Sequence, residues 1–152
     1  MRDWTGFESS CRGRFPEYSG SHFDIFWSEG QVSTLAGEGI IQGPLPESDL
    51  VIITAYNPGQ ARPSAEENQK ANEKLGNYLK EAGLMFYQAV GRDPQHSHSE
   101  PSFAVVLETG PAKYQLAFLC SLAGRFQQAA VFCWDCNSRT GRTLWLAGVV
   151  ET

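Results

Sequence analysis

Between Val90 and Phe103 the sequence reads VGRDPQHSHSEPSF, which gathers two histidines, two acids and an arginine where no hydrophobic pattern runs. If residues 96 to 100 are extended, His96, His98 and Glu100 point the same way, because side chains alternate along a strand. Such a facet has the composition of a metal site. It equally suits acid–base work, with Glu100 as general base or acid, His96 or His98 shuttling protons and Ser102 as the nearby nucleophile. Loop histidines are more often simply solvated, and a His-x-His-x-Glu run brings no partner to fix its imidazoles. No metal and no cofactor are therefore expected.

A second group of polar residues consists of amides. Asn68 and Asn72 stand at i and i+4 ahead of Leu75 and Leu79, so they continue an apolar helical stripe where leucines would be expected. An amide on a buried face needs partners, since leaving one unpaired costs ~1 to 3 kcal/mol. Either these side chains lock neighbouring loops beside Asn57, or they bind a ligand; locking is the commoner use, because most side-chain hydrogen bonds serve backbone or water. Glu67, Arg92, Ser102 and Gln127 complete the candidate ligand-binding set with Asn57, Asn68, Asn72 and Glu100. The amides would read the polar edge of a ligand, and Arg92 or Arg125 would meet an anion. Chemically inert asparagines dominate this set, which favours binding over catalysis.

These residues need elements to hold them. LVIITAY, from Leu50, is a β-branched run typical of a central strand and stops at the turn Asn57-Pro58-Gly59. Ser64-Ala65-Glu66-Glu67 is a capping box that opens a helix, and Gly83 is a suitable stop. LMFYQAV and SFAVVLE make the next two strands, with the histidine segment between them. A second helix spans about Ala112 to Phe126, AAVFCW is a fourth strand and RTLWLAGV a fifth. Earlier in the chain, HFDIFW and QVSTLA flank Ser28-Glu29-Gly30 and read as a β-hairpin. Strand, helix, strand, strand, helix, strand is the ferredoxin-like split β-α-β order. The expected fold is thus α+β: a ferredoxin-like core over residues 50–152, with an N-terminal hairpin and linker over 21–49, an irregular arm over 1–20 and an additional C-terminal strand. That topology brings the exit of the first strand, the start of the first helix, the histidine segment and the exit of the second helix to one end.

The composition narrows the function classes. A chain of 152 residues with 41% hydrophobic content supports one domain with a real core. Twelve basic against 17 acidic residues give a net charge of -5, which opposes non-specific attraction to nucleic acid. The first residues lack the apolar core of a signal peptide, and nowhere do eighteen apolar residues run together; the expectation is a cytoplasmic protein with no membrane span. Cys133-Trp134-Asp135-Cys136 has a Cys-x-x-Cys spacing, but lacks the second pair of a zinc site and lies on a strand rather than at a helix start. A structural role is expected for it. No phosphate-binding glycine loop and no Gly-x-Ser-x-Gly elbow are present.

Taken in order, ITAYNPGQARPSAEENQKANEKL, VGRDPQHSHSEPSFAVV, AGRFQQAAVFCW and LWL resemble the bacterial domain-of-unknown-function family 3293 over roughly residues 50 to 146. The resemblance lies in a Thr-Ala-aromatic-Asn-Pro strand end, a Ser-x-x-Glu-Asn helix start with a further Asn, a Gly followed by a loop to Glu-Pro-Ser-Phe, and an Arg-Phe-Gln segment before a strand. It marks Asn57, Pro58, Ser64, Glu67, Asn68, Asn72, Gly91, Glu100, Pro101, Ser102, Phe103 and Gln127. His98 stands where the pattern has an aromatic, often tryptophan. The resemblance implies no activity. The expected function is binding of a small polar or nucleotide-like molecule at one sheet edge, with a metal-independent hydrolase or transferase using Glu100 and His96 or His98, or a module that binds a protein partner, as rival readings.

Overall fold

Residues 20–57, 63–93, 99–108 and 112–146 are described by the computed structural model. The element order is β1 (His22–Phe26), β2 (Val32–Ala36), β3 (Gly39–Gln42), β4 (Asp49–Ile53), α1 (Ala65–Glu81), β5 (Phe86–Arg92), β6 (Ser99–Leu107), α2 (Ala112–Arg125), β7 (Ala130–Asp135) and β8 (Thr140–Trp145). All eight strands join one sheet in the order β3-β2-β1-β5-β6-β4-β7-β8, and every neighbouring pair is antiparallel.

β4 is apolar at consecutive positions because it is covered on both faces. Val51 and Ile53 point to the helices and pack with Leu75 and Leu79 of α1 and Leu116 and Leu119 of α2. Leu50 and Ile52 point the other way, to a second core shared with Ile25, Leu35, Ala104 and Trp134. Each of the buried Val, Leu and Ile side chains contributes about 1.5 to 3 kcal/mol by leaving water. The second core draws on β1, β2, β4, β5, β6 and β7 together. The sheet must therefore curl around it.

At the far ends of the curl, the Gly141 amide of β8 donates to the Gly37 carbonyl in the β2–β3 turn at 3.0 Å. The seam is built for bare backbone. A Cβ at Gly141 would collide with the tip of the Phe132 ring, and that ring is itself held by stacking on Phe23 at 4.3 Å.

This architecture corrects the ferredoxin-like expectation. The described residues form mostly an antiparallel, nearly closed, barrel-like eight-stranded sheet with two α-helices on its outer face, not a split β-α-β domain with appendages. The front segment is a three-stranded meander rather than a hairpin and linker, since Gly39–Gln42 forms β3. β1 pairs with β5 over five residues, from His22↔Arg92 to Phe26↔Gln88, so the meander extends the sheet instead of standing apart. The order of helices and strands along the chain carries no information about how far a sheet continues past its edges, which is why the reading from order alone failed.

Both helices end as backbone chemistry requires. Gly83 has φ +73°, and the Leu84 amide reaches back to the Leu79 carbonyl, a left-handed cap for α1. α2 ends on the same device with an unusual residue, since Gln127 has φ +57° and the Gln128 amide reaches the Ala123 carbonyl. No described helix is long and apolar enough to cross a membrane.

Candidate functional site

The end of β4, the start of α1 and the start of β6 meet in a knot of amide hydrogen bonds. Asn72, in the second turn of α1 and 8% exposed, accepts from the Ala55 amide at 3.0 Å and donates to the Pro101 carbonyl at 3.2 Å. Asn68, one turn earlier, accepts from the Asn57 amide at 2.9 Å and donates to the Asn57 side-chain oxygen at 3.0 Å. Asn57 in turn donates to a Glu100 carboxylate oxygen at 2.9 Å. Its φ of +46° lies in the left-handed region that asparagine tolerates better than most residues. Thr54 strengthens the same corner, donating to the Pro101 carbonyl at 2.8 Å and accepting from the Tyr56 amide at 3.1 Å. The asparagines thus continue the leucine stripe because they bury backbone of the β4 exit, which has no strand partner there.

Other candidates are placed elsewhere or already engaged. Glu67 closes the capping box, accepting from the Ser64 amide while Ser64 accepts from the Glu67 amide, both at 3.1 Å. Hydrogen bonds from the Ser64 amide, then from its hydroxyl, hold the Glu67 carboxyl below its usual range. Arg92 turns to β1, where it pairs with Asp24 at 2.9 Å, and Asp24 also accepts from Thr34 at 2.7 Å. Ser102 is 3% exposed and donates to the Glu100 carbonyl at 3.0 Å. That is poor placement for a nucleophile. Gln127 is exposed; its left-handed backbone delivers Gln128 to the cluster instead, 1% exposed and donating to the Tyr56 carbonyl at 3.0 Å. Arg125 lies over the Tyr78 ring at 5.1 Å. His96 and His98 lie outside the described residues.

Cys133 and Cys136 do not form a pair. The first packs among the helix-facing core residues and the second against the inner core, on opposite faces of the sheet. Burial pushes the Cys136 thiol up, with Asp49 adding to the effect. No group of three or more His, Cys, Asp and Glu side chains among the described residues is arranged to hold a metal ion.

Beside the knot runs an open groove of about 340 Å³. α1 covers β6 but stops short of β5, so the outer face there is left uncovered: Phe86 is half-buried and Gln88 exposed. The groove's floor is aromatic, with Phe86 and Phe103 in an edge-to-face pair 5.4 Å apart. Gln69, Glu73, Asn77 and Lys80 line the α1 bank, Gln88 the β5 bank, and Tyr56 the end nearest the knot. Gly76 lets the Phe103 ring lie close against α1, because a Cβ there would approach the ring to 3.1 Å. Sequence reasoning missed this row of residues. Polar side chains flanking an apolar stripe look like any solvated helix face, and only Gly76, which costs a helix about 1 kcal/mol relative to Ala, hinted at close packing.

The family model for proteins of unknown function DUF3293 matches residues 53–131, more than half of the chain. The chain belongs to this family. The DUF3293 segment holds the whole knot, from Thr54 to Gln128, and the whole groove. β1, β2, β3 and β8, together with β4 except Ile53 and β7 except Ala130 and Val131, lie outside the match. No curated protein matches the chain, and no solved structure does.

Proposed function

We propose that this member of DUF3293 is a binding module and that its working surface is the groove between α1 and β5, occupied by a small polar ligand with an apolar part. The observation that carries the reading is the lining. Amides from two separate elements, Asn77 on α1 and Gln88 on β5, flank an aromatic floor in a cleft of about 340 Å³, within the usual size of small-molecule sites. The asparagine knot has a supporting part: its side chains are spent on Ala55, Asn57 and Pro101, which fixes Tyr56 and Pro101 at the groove's end. Preorganisation of this kind lowers the ordering cost of binding. A buried, engaged Ser102 favours binding over a hydrolase or transferase.

The test is a thermal-shift screen of polar compounds against the wild type and an Asn77→Ala/Gln88→Ala variant. A ligand at a hundred times its Kd stabilises by about 2.7 kcal/mol, an upward shift of roughly 5 to 10 °C for a chain of this size. The shift should vanish in the variant. Compounds that stabilise both proteins equally would place binding outside the groove and refute the proposal.

A further inference from the structure

The groove's charges and dimensions narrow its ligand. Two of its lining residues carry formal charge, Glu73 and Lys80, and they are opposite in sign. A phosphorylated ligand would bring excess negative charge to a lining whose one cation, Lys80, is already balanced by Glu73, in a chain whose net charge is already -5. A zwitterion suits this balance. Seven residues of helix separate the two charges, about 10 Å along the axis of α1. An extended peptide advances about 3.3 to 3.6 Å per residue, so three residues cover the same span.

The middle of the groove matches the middle of such a peptide. Gly76 lies between Glu73 and Lys80, and its missing side chain lets the Phe103 ring pack directly against α1, where it pairs edge-to-face with the half-buried Phe86 on the groove floor. Asn77 and Gln88 line the two banks at this level. Each carries both a donor and an acceptor, which is what a peptide group requires.

Resting on the groove as the binding site, we infer that its ligand is a short zwitterionic peptide of about three residues, lying along α1 with its amine toward Glu73, its carboxylate toward Lys80 and an apolar central side chain over Phe86 and Phe103. A free peptide or the two ends of a like-sized zwitterion present the same groups, and blocking the termini one at a time separates their contributions.

The full chain is titrated with Ala-Leu-Ala bearing free termini, with its N-acetylated and C-amidated forms, and with adenosine monophosphate, read by calorimetry and by amide chemical shifts. Ala-Leu-Ala should bind and shift Gly76, Asn77 and Gln88. Acetylation and amidation should each weaken binding about two- to fivefold, as for exposed ion pairs. Glu73→Gln should erase the acetylation penalty and keep the amidation penalty, and Lys80→Gln should do the reverse, a crossed pattern that loss of folding does not produce. Equal binding of blocked and free peptides overturns the inference, as does the opposite crossing. Preferential binding of the nucleotide in the groove overturns it while leaving the groove reading intact. Binding of the peptide with shifts only outside the groove, or no shift in the groove with any probe, removes both.

Discussion

Replacing Asn72 with alanine should be markedly more damaging than replacing Asn68, although the two stand one turn apart and make the same number of hydrogen bonds. The difference lies in what each change strands. Without Asn72, the Ala55 amide loses its acceptor in a residue that is 1% exposed, and an unsatisfied buried donor costs ~1 to 3 kcal/mol. The Pro101 carbonyl keeps its bond from Thr54, so only one group is orphaned. Alanine recovers about 0.6 kcal/mol of helix propensity, leaving a net loss of about 0.4 to 2.4 kcal/mol. Without Asn68, the groups released belong to Asn57, which is half-buried and open to water, and the propensity gain offsets much of the loss. The net there is about 0 to 1 kcal/mol. Urea denaturation at unchanged m-value separates the two, and the Asn72→Ala melt should fall by roughly 1 to 10 °C. An Asn68→Ala variant as unstable as Asn72→Ala would refute the assignment of burial as the deciding variable.

Gly141→Ala should abolish the native fold or cost at least about 3 kcal/mol, because the new methyl meets the clamped Phe132 ring and overpacking is not relieved there; near-UV circular dichroism reports the loss. Gly124→Ala, in α2 with nothing near its Cβ, should instead stabilise by up to about 1 kcal/mol. Glu67 is lowered in the folded state, so its contribution is complete above the ordinary glutamate value of about 4.3 and is lost as pH falls through the lower folded value; the urea midpoints of wild type and Glu67→Ala should therefore converge as pH drops toward 3. Burial pushes the Cys120 thiol up to about 11 and leaves Cys133 1% exposed, so at pH 8 iodoacetamide should label both far more slowly in the native chain than in urea, by mass spectrometry of the digested protein.

The parts of this molecule that depend on local rules could be read from the sequence. The capping box at Ser64, the glycine stop at Gly83 and the buried run at β4 are settled by a few neighbouring residues, and each appears where its chemistry puts it. The meeting of Asn57, Asn68, Asn72 and Glu100 also followed from element order. Whether the asparagines face a ligand or the backbone did not, because the same stripe serves either until the partners are known. Gln127 and Gln128 were confused for a similar reason: which of two adjacent glutamines turns inward depends on one left-handed dihedral, and glutamine gives no signal for it as glycine would. The closure of the sheet was invisible because it rests on pairings such as His22 with Arg92 and Gly37 with Gly141, which no local pattern encodes.

The seam between Gly37 and Gly141 joins residues 104 positions apart, and the pairing of β1 with β5 spans about 60 to 70. Folding must meet these loop-closure costs before the inner core returns any energy. The meander of β1, β2 and β3 can zip locally, yet its Ile25 and Leu35 stay wet until β5 arrives from far along the chain. During synthesis the wait is longer still, since β8 is made last and the barrel cannot close without it. Slow refolding, on the millisecond-to-second scale of sheet-dominated proteins, and a concentration-dependent tendency to aggregate on the way are consequences of that seam. The DUF3293 segment produced alone should suffer most, because of the buried inner-core residues it carries only Ala89 and Ala104.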